Sequence, residues 1–199
     1  MTSEQHAARG AAAPAAPPAP VSLSEVPREQ PADFRTLMAG FPTGVTIVTT
    51  RGADGTPRGM TLTSLCSVSM DPPVLLVCMR TGSPTLDAVL ESGSFAVNLL
   101  HLRARTTAEL FASGAPDRFE RVSWQAQEPA AGPHLLDAAH TIADCAVTAH
   151  HEVGDHVVLM GGVTAVSRLG GDQHPLLYGL RRFATWPETD DHLSYDFIS

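Results

Sequence analysis

VTIVTTRGADGTPRGMTLT, residues 45 to 63, is the stretch whose reading decides the fold. It begins with an unbroken run of β-branched residues from Val45 to Thr50. Branching at Cβ narrows the χ1 choice and suits a pleated strand. Asp54-Gly55 then supplies a turn, and RGMTLT (58 to 63) returns as the second arm of a hairpin. Working outward, CSVSM (66 to 70) and, beyond the Pro72-Pro73 break, VLLVCM (74 to 79) read as two more strands, and SFAVNLL (94 to 100) as another. IADCAVTAHHE (142 to 152) and DHVVLMGGVTAVSRL (155 to 169) meet near Gly154 as a long strand pair, and PLLYGLRRF (175 to 183) closes the body.

Helices are few and short. Phe34, Leu37, Met38 and Phe41 recur at i, i+3, i+4 and i+7, one apolar stripe that Pro42 stops. Ser83-Pro84 places a capping hydroxyl and a first-turn proline at the start of a second helix, and RTTAELFA (105 to 112) forms a third. Many strands with turn signals, no internal repeat and short helices predict a mainly β fold, an antiparallel barrel or sandwich and not a doubly wound sheet.

At 199 residues the chain suits one domain with a substantial core. An Ala/Pro-rich tail over 1–28 is expected to be disordered, the folded body spans 29–186, and an acidic tail covers 187–199. Repeated prolines interrupt any secretory apolar core, and no apolar run approaches a membrane span, so a cytoplasmic protein with no membrane partner is expected. The net charge of -8 argues against a nucleic-acid partner. All 13 basic residues are arginine, so a bound phosphate would be held by arginine, hydroxyls or backbone N–H groups. Cys66, Cys78 and Cys145 are far apart with no CxxC pair and read as reduced core residues.

No GxGxxG opens a helix after a strand, and neither GxxxxGK[ST] nor GxSxG occurs. A nucleotide cofactor would therefore sit on a β scaffold lined with hydroxyls. TLTSLCSVS (61 to 69) concentrates five of them, at Thr61, Thr63, Ser64, Ser67 and Ser69. Strand alternation puts Thr61 and Thr63 on one face, which suits either a flat ring with polar edges or simply a threonine-rich edge strand. HHEVGDH (150 to 156) has three imidazoles, but His151 and His156 are five apart with Gly154 between them, a spacing unlike a helical zinc site, and no metal is expected.

FPTGVTIVTT, GMTLTSLCSVSMDPPVLLVCMR, SGSFAVNLL, GDHVVLMGGV and PLLYGLRRF, taken in order from about Phe34 to Trp186, resemble the short-chain flavin reductases, the reductase components of two-component flavin-dependent monooxygenases. The resemblance implies an FMN-binding split β-barrel of Greek-key type and a homodimer with flavin near the subunit interface. It implies FMN, or FAD, with NADH or NADPH as co-substrate, and a separate monooxygenase that receives the reduced flavin. By position, Pro42, Thr43 and Gly44 flank the isoalloxazine; Thr61, Leu62, Thr63 and Ser64 contact the ring edge and ribityl chain; and Ser67 and Val68 continue that wall. Arg80 and Ser83 hold the phosphate, and Phe95 lines the pocket. The family usually has asparagine where this chain has Thr63, which is shorter and branched. Gly154, Asp155 and His156 match the block that meets the nicotinamide dinucleotide, with His156 as the residue that orients it. Tyr178, Arg181, Arg182 and Phe183 match the closing block, with Tyr178 and Arg182 on the NAD(P)H side. Two rival readings are a flavin-binding electron carrier that makes no direct use of NAD(P)H and a noncatalytic barrel that binds another ligand or partner.

Overall fold

The computed structural model describes residues 31–126, 130–171 and 173–186, with the side chains of 31–33 left aside. Both tails expected at 1–28 and 187–199 lie outside the described residues. Ten strands and three short helices follow in the order α1 (Pro31–Ala39), β1 (Thr43–Gly44), β2 (Thr46–Arg51), β3 (Pro57–Leu62), β4 (Cys66–Met70), β5 (Pro73–Arg80), α2 (Pro84–Ser92), β6 (Ser94–Leu100), α3 (Arg105–Ser113), β7 (Ala139–Val153), β8 (His156–Arg168), β9 (Leu176–Gly179) and β10 (Arg182–Thr185). A seven-stranded antiparallel sheet runs β3-β2-β6-β7-β8-β5-β4, and a small sheet runs β1-β9-β10. Among the described residues no helix is long and apolar enough to cross a membrane.

The hairpin of the opening stretch is present, with Thr46 opposite Leu62 and Arg51 opposite Pro57. Strand β2 is buried on both faces, because two cores lie on either side of it. Val48 points into one with Leu62, Val77, Met79, Phe95 and Leu159, while Val45 and Ile47 point into the other with Leu100, Phe111, Leu135 and Leu176. Alternation of side chains along a strand produces this division. Phe95 is fully buried in the first core, and its ring passes over Gly161, where an added Cβ would lie 2.5 Å from Phe95 Cζ.

The seven-stranded sheet curls until its ends meet. Ser64, in the three-residue crossing from β3 to β4, donates from Oγ to the Cys78 carbonyl (3.1 Å) and accepts from the Cys78 N–H (2.9 Å). One hydroxyl thus satisfies both peptide groups of a residue on β5, across from the opposite end of the sheet.

Helix α1 forms as its apolar periodicity predicts, but the stripe does not enter a core. Phe34, Leu37 and Phe41 are 65%, 69% and 62% exposed. Helix α2 starts as expected, the Ser83 hydroxyl accepting from the Thr85 N–H, and ends on Gly93 in the left-handed region. The closing segment is a hairpin whose turn residues, Leu180 and Arg181, both have positive φ. Glycine or asparagine normally fills such a turn, so this one is held under strain.

Between α3 and β7, the described residues of 114–138 include no helix and no extended strand. This connection is held on one side by the edge-to-face rings of Phe111, Phe119 and Trp124. On the other side the buried Asn98 amide donates to the Ile47 carbonyl and Thr49 Oγ1 and accepts from the Leu135 N–H at 2.8 Å, while Thr49 donates to the Pro133 carbonyl. Asp144, itself buried, accepts from the Ala131 N–H and bonds the His134 ring at 2.9 Å.

Asn98→Ala leaves the buried Leu135 N–H without its acceptor and removes a donor from Thr49. It should lower unfolding free energy by about 2 kcal/mol, read as a fall in the urea midpoint at unchanged slope. The cysteines make a second test. Burial, with the Asp144 charge adding to it, pushes the Cys145 thiol up to about 12, and burial also raises Cys78, whereas Cys66 is exposed. A raised thiol pKa means little thiolate at pH 8. A colorimetric thiol titration of the native protein at that pH should therefore give one fast group per chain, lost in Cys66→Ser, with the other two appearing on denaturation.

Candidate functional site

Three cavities join along the outer side of β3. The largest, about 780 Å³, lies between α1, the β3–β4 crossing and the small sheet, and is lined by Phe41, Thr43, Thr63, Ser64, Tyr178 and Arg181 among others. It shares Thr63 and Tyr178 with a second cavity of about 460 Å³. That cavity shares Thr61 and Ala112 with a third, about 370 Å³, at the start of α2. One groove results, and residues 59, 61 and 63 of a single strand face run along it; at a strand rise of about 3.3 Å per residue, Gly59 to Thr63 spans roughly 13 Å.

The sequence-predicted residues divide around this groove. Thr43, Thr63, Ser64 and Tyr178 line its wide end. Gly44 lines a small neighbouring cavity with Leu65, and Pro42 packs its Cα against Gly179, where a Cβ would come within 3.2 Å. Thr61 lines the middle, although its hydroxyl already donates to the Ala108 carbonyl at 2.7 Å and so has only acceptor capacity left for a ligand. Ser64 is committed to Cys78 and can offer little beyond its backbone. Thr63, where the family has asparagine, is exposed on the wall of two cavities.

Other predicted residues do not meet in the groove. Leu62 has its side chain in the core and its carbonyl accepts from Thr46 Oγ1, so only its backbone is left to face a ligand. Phe95 lines none of the three groove cavities; it is buried, with its ring packed over Gly161. Arg80 and Ser83 are not placed together: Ser83 lines the third cavity, whereas Arg80 stands exposed at the end of β5, opposite His156. Arg182 lies outside the groove, and the neighbouring Arg181, carried by the strained turn, lines it instead. Ser67 and Val68 sit on the exposed edge strand β4 where the register shifts, beside the groove but not among its lining residues.

Gly154, with φ of 61°, makes the tight β7–β8 turn. Asp155 Oδ1 and His156 Nδ1 are 2.8 Å apart on an exposed surface. That bond and the imidazole charge hold the Asp155 carboxyl below its ordinary range, with Arg80 adding a smaller pull. The turn is joined to the α2 approach by the Thr81 N–H donating to the Asp155 carbonyl, two residues before Ser83. None of the three groove cavities is lined by His156. Among the described residues no cluster of three metal-binding side chains occurs.

Two groove residues escaped the sequence reading. Arg58 and Arg118 line the third cavity with Ser83. The signal for Arg118 was its position beside Phe119 in a chain with few cations; the guanidinium lies 5.9 and 6.0 Å from the Phe119 and Phe111 ring centroids.

The groove suits a flat heterocycle carrying a polar tail: a wide end lined by apolar side chains with Arg35 and Arg181, hydroxyls along the strand, and Arg58 and Arg118 at the narrow end. Known proteins share this framework. A flavin reductase (NADPH) of Lentzea aerocolonigenes is 48% identical over 157 residues, covering 78% of this chain and 89% of that protein. The reductase subunit HsaB of a flavin-dependent monooxygenase from Rhodococcus jostii is 36% identical over 148 residues, 74% of each chain. The solved NADH:FAD oxidoreductase SgcE6 of Streptomyces globisporus, in complex with NAD and FAD fragments, superimposes with a TM-score of 0.74 at 31% identity, covering 80% of this chain and 94% of that one. Residues 38–187 match the family described as Flavin reductase like domain, and the chain belongs to that family.

Proposed function

We propose that this protein is an NAD(P)H:flavin oxidoreductase that reduces FMN, or FAD, and delivers the reduced flavin to a separate flavin-dependent monooxygenase. The observation that carries the reading is the continuous groove along β3, open to solvent, in a chain of the flavin reductase family. The relative named as a monooxygenase reductase subunit supports the delivery role.

Bound together, the two cofactors would supply the chemistry, hydride transfer from the nicotinamide to the flavin. The protein's part is orientation. Thr63 offers a donor and an acceptor to a ring edge, Thr61 an acceptor, and Tyr178 one wall of the wide end, its ring held edge-to-face on Phe183 at 5.3 Å. Arg181 at the mouth is a second cation for the dinucleotide. In this reading His156, bonded to Asp155 and paired across the strands with Arg80, meets the nicotinamide dinucleotide from the β7–β8 turn, outside the three cavities. No protein acid or base is required for hydride transfer.

A homodimeric split barrel belongs to the same proposal. Its support is the exposed stripe of α1 and the uncharged exposed edge of β4, both bordering the groove, which a second copy would cover. Sedimentation equilibrium should give twice the chain mass, and a monomer at micromolar concentration would refute the dimer.

Purified protein mixed with NADH or NADPH and free FMN should consume nicotinamide absorbance; an electron carrier or a noncatalytic barrel would leave it unchanged. In that assay His156→Ala should raise KM for the nicotinamide about ten-fold while moving the flavin KM much less. Nicotinamide kinetics equal to the wild type's would remove His156 from the site.

A further inference from the structure

We infer that the α1 side of the wide cavity selects between the two nicotinamide dinucleotides: Arg35 and Arg181 hold the 2′-phosphate of NADPH, which makes NADPH and not NADH the preferred hydride donor. This rests on the reductase reading and deepens it.

The two sides of the wide cavity are not alike. Thr63 and Tyr178 are shared with the second cavity, so a flavin lying along β3 passes that way. Arg35, Met38, Ala39, Phe41 and Arg181 line the wide cavity and neither of the other two, which leaves their side to the second substrate. The apolar stripe of α1 divides in the same manner. Phe34 and Leu37 line none of the three cavities and remain for a second copy, whereas Met38 and Phe41, 46% and 62% exposed, line this one. An exposed ring in the same wall as two guanidiniums suits a purine that carries a phosphate.

A bond between their elements brings the two arginines to one wall. The Leu180 N–H donates to the Ala39 carbonyl at 2.6 Å. Arg181 follows Leu180 directly, and Arg35 lies one helical turn before Ala39, on the same face of α1. Leu180 and Arg181 have φ of 50° and 58°, a region where neither residue type is at ease, and a backbone held there fixes where its side chain starts. Strand β9 is also pressed against the exit of α1, since a Cβ on Gly179 would lie 3.2 Å from Pro42 Cα.

Charge makes this wall an anion site. Among the described residues no carboxylate lines the wide cavity, and neither Arg35 nor Arg181 has a hydrogen bond or ion pair from its guanidinium. The acid of the neighbouring cavity, Glu109, is already paired with Arg105 at 2.8 Å. The chain as a whole carries a net charge of -8, so two uncompensated cations on one cavity are a local exception that favours an anionic ligand. The pyrophosphate common to both dinucleotides has a single charge on each phosphate. The 2′-phosphate is a monoester with a second pKa of about 6 and close to two charges at neutral pH, and guanidinium forks bind such a group through paired hydrogen bonds. NADH presents only a hydroxyl at that position.

The test compares NADPH with NADH at saturating FMN on the full chain and on Arg35→Gln and Arg181→Gln, and titrates adenosine 2′,5′-bisphosphate and AMP into the same proteins by calorimetry. For the wild type, kcat/KM should be at least about ten-fold higher with NADPH than with NADH, and the bisphosphate should bind about ten-fold more tightly than AMP. Both margins should shrink below about pH 6 and with rising salt. Each variant should raise KM for NADPH about five-fold more than KM for NADH, and lose a similar factor of its preference for the bisphosphate. Arg35 is exposed on a helix and outside the strained turn, so its variant remains informative if Arg181→Gln folds poorly. Equal use of the two nucleotides, preference for NADH, or variants that weaken both alike, as they would if the arginines held the pyrophosphate, would overturn the assignment. NADH consumed as readily as NADPH keeps the reductase reading and discards this one. A protein that oxidises neither loses the reductase reading, and the bisphosphate titration then decides the site alone.

Discussion

One hydroxyl closes the sheet. Strand β3 ends at Leu62, and the chain must cross to β4 at the other end of the seven-stranded order, a gap where neither edge has a strand to pair with. Ser64 fills that gap by serving both the N–H and the C=O of Cys78, doing for one residue what a neighbouring strand would do. The consequence is geometric. The crossing that carries Thr63, Leu65 and Cys66 into the wide cavity is located by the sheet itself, so the wall is set before a ligand is present. It also explains why a segment so rich in hydroxyls serves two purposes: Ser64 belongs to the frame, Thr61 is shared with α3 through Ala108, and Thr63 is left to the groove.

Behind that wall the structure is rigid for a different reason. Strand β2 has a core on each face, and Asn98 and Thr49 tie it and β6 to the connection at Pro133–Leu135. A buried amide whose partners are all satisfied rigidifies what it joins, because any shift leaves a polar group unpaired. The opposite side of the groove is built from weaker parts. Helix α1 rests on it with its apolar stripe in solvent, and the β9–β10 turn holds Leu180 and Arg181 in left-handed backbone, tethered by the Leu180 N–H to the Ala39 carbonyl. Stored strain in such a place is tolerated because it positions a side chain, here Arg181 at the groove mouth.

The parts of this architecture legible in the sequence were those encoded locally. Six β-branched residues followed by Asp54-Gly55 specify a hairpin whatever surrounds them, and Ser83-Pro84 specifies a helix start through its own hydrogen bond. Periodicity found α1 but not its partner, since an apolar stripe states that a helix has a face to bury and not which surface buries it. Phe95 shows the converse: the resemblance assigned it to the pocket wall, and its ring packs over Gly161 on β8, a contact between residues far apart in sequence. Arg80 was assigned with Ser83 from the resemblance alone; the cavity that Ser83 lines is assembled by β3, α3 and the connection at 114–118, residues far apart in the chain.

The same arrangement bears on how tightly a flavin should be held. Neutral hydroxyl contacts such as those from Thr61 and Thr63 contribute about 0.5 to 1.5 kcal/mol each, after the water they displace is counted. A groove open along one side also leaves part of any ring hydrated, which limits the gain from burial. How deeply a flavin is enclosed then depends on the second copy that the dimer reading sets over α1 and β4, since the single chain leaves one side of the groove open. The wall that closes the sheet is fixed by the Ser64 bonds to Cys78, whereas the facing side rests on α1 and the β9–β10 turn, so the two sides of the groove differ in how firmly the fold holds them.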